Sequence, residues 1–212
     1  MLTNYNQDQF GVVHQIEKQP LVYSNSYVDS VYQTDNMKIL TRRMAYLRLG
    51  FITGIVSKPT SQLSLLDIGF GNGAFLDVAK TAFKTAAGND IFDNPYLPQG
   101  CNRVEELGQD YFDVVTMYDS FEHFDQLDLV AKLRCNYLVV SVPWCHYVSD
   151  AWFDAWKHRK PNEHLHHFDQ FSLTAFLLEY GYYLITFNNI EDAIRRPVDD
   201  RPNILTAAFR RH

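Results

Sequence analysis

The chain has 212 residues with 25 acidic and 19 basic side chains, a formal charge of −6. At 46% apolar and 15% aromatic it can bury about 70% of its unfolded surface, which excludes disorder, fibres and any need for disulfide staples. Its basic residues are scattered. The densest group, Lys157, His158, Arg159 and Lys160, reads as a solvated helix end, so nucleic acid is not an expected partner.

Cys101, Cys135 and Cys145 form an odd set with no CxxC pair, as expected of reduced thiols in a reducing compartment. The start, MLTNYNQDQF, has neither a basic nor an apolar leader region, and no apolar run approaches the roughly 18 residues of a membrane span. A soluble, cytoplasmic protein is expected.

Residues 1–33 are polar, with Tyr5, Tyr23, Tyr27 and Tyr32 interspersed at no clean period, and read as an irregular arm. Thr34 or Asp35 can cap a helix whose apolar residues Met37, Ile39, Leu40, Met44, Leu47 and Phe51 recur at helical spacing up to Lys58-Pro59. Residues 1–60 are thus expected to form a cover, and 61–212 one domain. Leu63 to Ile68 reads as a strand, followed by a glycine turn and a helix over Ala74 to Phe83. Ala86 to Phe92 predicts a short strand, and Arg103 to Leu107 another. Tyr111 to Tyr118 is a buried strand, Ser120 to Leu133 a helix, and Asn136 to Val142 a strand stopped by Pro143. A segment over about 144–169 carries Trp144, Trp152 and Trp156 and interrupts the alternation. A helix from Gln170 to Tyr180 ends at Gly181, before strands Tyr182 to Asn188 and Ile204 to Arg210. Strands alternating with helices argue for an open α/β sheet covered on both faces. The last two strands are joined by about fifteen residues, including Pro197 and Pro202, with no helical period, which suggests a hairpin-like antiparallel edge.

In LLDIGFGNGAF, Gly69, Gly71 and Gly73 lie between a strand and a helix, where backbone can approach a ligand and helix N–H groups can face it. Ala74 also permits a dinucleotide GxGxxA reading, and Phe70 is tolerated in either case. Asp67 inside the first strand and Asp90 at the end of the second tilt the balance, because the latter carboxylate can accept ribose hydroxyls.

LLDIGFGNGAFL, GNDIF, FDVVTMYDSFEHF and YLVVSVPW, in that order, resemble the successive motifs of class I S-adenosylmethionine (SAM)-dependent methyltransferases. WKHRKPNEHLHHFDQFSLTAFLLEYGY resembles a segment of a small-molecule or sugar-type subgroup carrying an EHLHHF-like run. The resemblance covers about Leu63 to Phe209. It implies a Rossmann-like, doubly wound sheet of seven strands in the order 3-2-1-4-5-7-6, with strand 7 antiparallel, and SAM as cofactor. By the same resemblance Gly69 and Gly71 would lie along the methionyl part, Asp90 would hold the ribose, Ile91 would pack on adenine, and Val104 to Glu106 would face its amine. Tyr118 and Asp119 would lie near the sulfonium and methyl group. With Asp67, Phe70 and Gly73 these make up the expected cofactor site. The short stretch between Asp90 and the fourth strand departs from the family pattern.

A sulfonium methyl is already a good electrophile, so such an enzyme contributes chiefly alignment and, for a hydroxyl acceptor, a base. His164 or His167, after the fifth strand, are the candidate bases, with Asp119 an acid suited to a cationic neighbour. Helix capping or backbone bonding by these imidazoles is the bland reading. Trp144, His146, Trp152 and Trp156 are candidate substrate-pocket walls, although a cap packed on the sheet would use the same aromatics. The histidines and Cys145 lack paired zinc spacings, and no metal is expected. Glu122-His123 reads as an opening helical turn capped by Asp119 or Ser120. Asp93-Asn94-Pro95-Tyr96 superficially resembles the Asn-Pro-Pro-Tyr signature of base-amine methyltransferases. It lies after the wrong strand and disfavours a DNA adenine or protein glutamine substrate. Tyr23, Tyr27 or an arginine of Arg42-Arg43 is expected near the SAM carboxylate. The reading is therefore a methyltransferase acting on a hydroxyl or similar nucleophile of a small, sugar-like acceptor. The alternatives are a nicotinamide-dependent oxidoreductase on the same glycine turn and an inactive cofactor- or partner-binding module.

Overall fold

The computed structural model describes residues 3–32, 34–197 and 200–211. Met1, Leu2 and Gln33 of the expected arm, and Val198 and Asp199 of the last connection, lie outside the described residues. A seven-stranded sheet runs in the order β5-β4-β3-β6-β7-β10-β9. Its strands are β3 (Ser64–Ile68), β4 (Thr85–Asn89), β5 (Asn102–Arg103), β6 (Tyr111–Tyr118), β7 (Arg134–Pro143), β9 (Tyr182–Asn188) and β10 (Ile204–Arg211). β3 to β7 are parallel neighbours, and β10 is antiparallel to both β7 and β9. Counting only this sheet's strands in chain order, the arrangement reads 3-2-1-4-5-7-6.

The central strands are apolar on both faces because both faces are covered. Leu66, Ile68, Val115, Met117, Leu138 and Val140 join one core cluster with Leu173, Phe176 and Leu177 of α5 (Gln170–Glu179). The alternate residues Leu65, Val114, Val139 and Ala208 join a second cluster. There they meet Ala45 and Ile52 of α2 (Asp35–Ile55) and Phe75, Leu76 and Val78 of α3 (Ala74–Ala79). The period-2 alternation of each strand thus feeds two separate cores. Thr34 caps α2 through a bond from the Met37 amide, and Asp169 and Ser172 form a reciprocal capping box on α5.

Three expectations are corrected. The arm is not irregular throughout: β1 (Tyr5–Gln7) and β2 (Val13–Gln15) form a hairpin, and α1 (Asn25–Tyr32) follows. β2 pairs with β8 (His166–His167), so the start of the chain is fastened to the EHLHHF run. Residues 120–133 are not one helix but two 3-10 turns, Phe121–His123 and Leu127–Lys132. Leu127, Leu129, Val130 and Leu133 all enter one core cluster. An α-helix would set Leu127 and Leu129 about 200° apart, so it could not bury both. The last connection also holds a short helix, α6 (Asp192–Arg195), although no helical period marks it. β10 lies inside the sheet, antiparallel to β9 at its edge. Among the described residues no helix is long and apolar enough to cross a membrane.

Candidate active site

The glycine turn leaves β3 with Gly69, Gly71 and Gly73 all at positive φ, 75°, 53° and 71°. A Cβ on Gly69 would lie 2.6 Å from the Ser120 Cβ, and one on Gly73 only 2.2 Å from the Tyr96 carbonyl oxygen. Those two positions serve the protein's own packing. At Gly71 an added Cβ would meet nothing within 4 Å, so its backbone faces open space. Gly69, Asp90 and Asp119 directly follow β3, β4 and β6, at the C-terminal edge where open α/β sheets bind ligands.

Two cavities open there, of about 840 and 370 Å³. Both are lined by Tyr27, Tyr32, Gly69, Gly71, Asp119 and His123, so they form one cleft. Asp90, Ile91 and Glu105-Glu106 line the larger cavity, together with Pro20 and Tyr23 from the N-terminal segment. Arg48, Asp67, Phe70, Tyr118, Glu122 and His164 line the smaller one. The Asp90 carboxylate accepts bonds from the Gly71 amide (3.2 Å), the Asn94 side chain (2.8 Å) and the Ile91 amide (2.9 Å). These fill three of its roughly four acceptor positions, leaving room for one more donor rather than a pair. Ile91 is 77% exposed and free to pack on a ligand. The fully buried Asn94 also donates to the Gly71 carbonyl, so the misplaced Asn-Pro-Tyr sequence braces the glycine turn.

At the smaller cavity, Asp119 adopts a left-handed conformation (φ 51°) and receives the guanidiniums of Arg48 and Arg195. Both arginines also pair with the buried Glu191. Burial pushes the Asp119 carboxyl upward, but Arg195 and Arg48 outweigh it and hold the group well below the carboxylate range. Asp119 is therefore held as an anion, the form expected of an acid beside a cationic ligand. Burial pushes the Asp67 carboxyl up to about 7, against the lowering effect of the Thr116 hydroxyl, which donates to it at 2.7 Å. Tyr118 is buried, and among the described residues its hydroxyl has no partner. The Arg48 guanidinium sits 4.3 Å above its ring.

His164 lines the smaller cavity, and its Nδ1–H donates to the His158 carbonyl at 2.8 Å. His167 lines neither cavity: it lies among the rings of Tyr5, Phe153 and Trp156 in a separate core cluster. Trp152 and Trp156 stack in that same cluster. Trp144 donates its indole N–H to Gln170 and stacks on His146, whose Nε2–H donates to the Pro202 carbonyl. None of the three tryptophans, nor His146, lines either cavity, so the substrate-wall expectation gives way to a packed cap. Arg42 and Arg43 are exposed, and the arginines that reach the cleft are Arg48 and Arg195. Met37, Leu40, Thr41, Met44 and Arg48 line the cavity at helical spacing, and Arg48 could have been found as the charged member of that face. Ser120 does not cap the turn after β6; its hydroxyl donates to the Ile68 carbonyl. Glu122 is instead buried in the cleft wall.

Several solved structures share the architecture. The 1,6-didemethyltoxoflavin-N1-methyltransferase of Burkholderia thailandensis, solved with its substrate and S-adenosylhomocysteine, superposes with a TM-score of 0.59 at 15% identity over 99% of both chains. A SAM-dependent methyltransferase of Aquifex aeolicus gives 0.59 at 11% identity, covering 89% of this chain and 98% of its own. The magnesium protoporphyrin IX methyltransferase of Synechocystis, with S-adenosylhomocysteine, gives 0.58 at 13%, over 82% of this chain and 84% of that one. No curated protein matches the sequence significantly. The family described as a methyltransferase domain matches residues 39–186, from α2 into β9, and so takes in the glycine turn, Asp90, Asp119 and the Glu122–His164 wall. This chain belongs to that methyltransferase-domain family.

Proposed function

We propose that the protein transfers a methyl group from SAM to a hydroxyl or similar nucleophile of a small, sugar-like acceptor. The observation that carries this is the joining of the two cavities over Gly69 and Gly71, an extended cleft with a smaller chamber at one end. SAM is the cofactor implied by family membership, and the residues fit it. Gly71 presents bare backbone to open space that a Cβ would take up, Asp90 keeps one acceptor position for a ribose hydroxyl, and among the described residues the buried Tyr118 hydroxyl has no partner.

When bound, SAM supplies an electrophilic methyl on a cationic sulfonium. Asp90 would hold the ribose, Ile91 and Glu105-Glu106 would border the base, and Gly69 and Gly71 would let the main chain lie along the ligand. Asp119, locked by two guanidiniums, fixes the floor of the chamber. His164, a candidate base, lines the same chamber beside His123, and burial pushes both imidazoles toward the neutral form. In this reading residues 61–212 form the cofactor domain and residues 1–60 its cover, with Tyr23 and Tyr27 over the cleft. The named acceptor of the Burkholderia enzyme is a small molecule methylated at N1, which supports a small-molecule acceptor and not the choice of a hydroxyl.

Calorimetry with SAM and S-adenosylhomocysteine tests the proposal. Saturable binding is expected, weakened at least about tenfold in Asp90→Ala, the scale of one lost hydrogen bond to a charged group. No binding of either compound by folded protein would refute it. Binding without transfer across a panel of hydroxyl acceptors would leave a cofactor-binding module.

A further inference from the structure

The 3-10 turn after β6 and the EHLHHF run bring Glu122, His123 and His164 together, with ligand-capable atoms all within 4.8 Å of one another. The two segments are fastened by the Leu165 amide, which donates to the Glu122 carbonyl at 2.9 Å. His123 Nδ1 lies 2.8 Å from the Glu163 carbonyl and His164 Nδ1 2.8 Å from the His158 carbonyl. A carbonyl oxygen only accepts, so both bonds require the proton on Nδ1; the Tyr23 hydroxyl, 2.7 Å from His123 Nδ1, is then a second acceptor of the same N–H. In a neutral imidazole that leaves Nε2 as a bare lone pair. Backbone carbonyls bonded to the distal nitrogen are also how histidine ligands are oriented in metal sites.

Between these lone pairs sits the Glu122 carboxylate. Its residue is 1% exposed, and among the described residues neither oxygen has a partner on another residue. The nearest approach, Glu122 Oε1 to His123 Nε2, is 3.8 Å, too long for a hydrogen bond. When Glu122 is ionised, three acceptors converge with no donor among them, and a carboxylate buried in this way is costly. A cation removes the conflict. Ligand atoms of a tetrahedral site with bonds of about 2.1 Å lie about 3.4 Å apart, so rotation of these side chains is enough to close the geometry.

We infer that Glu122, His123 and His164 form a binding site for a first-row divalent cation of the zinc type, in the wall of the smaller cavity. Two imidazoles and one carboxylate favour zinc, cobalt or manganese over magnesium or calcium, which take oxygen ligands. Three protein ligands leave a coordination position open toward the cavity, the arrangement of catalytic rather than structural sites. Resting on the methyltransferase reading, that open position would take the acceptor's hydroxyl and lower its pKa, standing in for a protein base. The expectation of no metal came from linear spacing, and the trio is invisible to it because His123 and His164 lie on different sides of β7.

The test uses the full chain stripped with chelator and titrated by calorimetry with Zn²⁺, Co²⁺ and Mg²⁺, with S-adenosylhomocysteine binding measured separately. One equivalent of Zn²⁺ is expected, Co²⁺ should give a visible d–d band, and Mg²⁺ should not compete. Glu122→Gln and His164→Ala should weaken Zn²⁺ by roughly 100-fold or more, beyond what loss of an outer-shell partner costs. His146→Gln should bind like wild type. Zn²⁺ should raise the Tm of wild type and not of Glu122→Gln, which decides the matter if His164→Ala does not fold. Absence of stoichiometric Zn²⁺, or equal affinity in wild type and Glu122→Gln, overturns the site. Failure of S-adenosylhomocysteine binding alone would overturn the methyltransferase reading and leave the metal site standing.

Discussion

Arg48 on α2 and Asp119 at the end of β6 are joined by a 2.7 Å ion pair, while the same guanidinium holds Glu191 at 2.7 Å. Arg48→Met would remove one of the two guanidiniums from a Glu191 carboxylate with no exposed side-chain surface, leaving it to Arg195 at 3.2 Å. Breaking a buried pair from one side costs about 3–5 kcal/mol. Urea denaturation should show that loss, with Arg48→Lys intermediate because an ammonium cannot serve two carboxylates in one plane. A loss under about 1 kcal/mol in Arg48→Met would contradict the buried network.

The glycines of the turn should separate cleanly by experiment. Gly73→Ala drives a Cβ to 2.2 Å from the Tyr96 carbonyl oxygen at a positive φ, so it should unfold the turn or destabilise the chain severely. Gly71→Ala meets only the backbone preference, about 1–2 kcal/mol. It should retain the fold and lose S-adenosylhomocysteine affinity. Equal Tm values for the two variants would disprove the distinction.

Asn94 has no exposed surface and bonds both Gly71 and Asp90. Asn94→Ala leaves those acceptors unmet, at about 1–3 kcal/mol. Because the same bonds shape the ribose end of the cleft, cofactor affinity should fall along with stability. Unchanged affinity in a destabilised variant would make Asn94 purely structural.

Two buried groups pull the pH profile in opposite directions. Burial pushes His167 down to about 3, so between that value and 6.5 the unfolded chain binds a proton that the fold refuses, and stability falls as pH drops. Burial pushes Asp67 up to about 7, so the fold binds a proton that the unfolded chain does not, and stability rises as pH drops from 7. Relative to wild type, His167→Phe should therefore gain about 1 kcal/mol between pH 7 and 5.5, and Asp67→Asn should lose a similar amount. Parallel wild-type and variant profiles in chemical denaturation would contradict both.

The elements legible in the sequence are those whose burial is set locally. β6 and β9 fall on the residues their apolar runs predict, and the glycine turn announces itself through positions that only glycine tolerates. Residues 120–133 misled because their apolar content resembles a helix, while both Leu127 and Leu129 must reach the same core. The tryptophans misled because aromatic side chains serve a cap and a pocket equally well. Arg48, Arg195 and Glu191 were missed because their meaning lies in contacts across α2, β6 and α6 that no linear spacing records.

β10 lies between β7 and β9, pairing Ile204 with Pro143 on one side and Arg211 with Tyr182 on the other. Among the described residues β9 pairs in the sheet with β10 alone, so its place at the edge depends on β10. The far edge therefore hangs on β10: a substitution that loosens β10 from β7 would detach β9 as well, while the parallel half bearing the glycine turn keeps its own ladders.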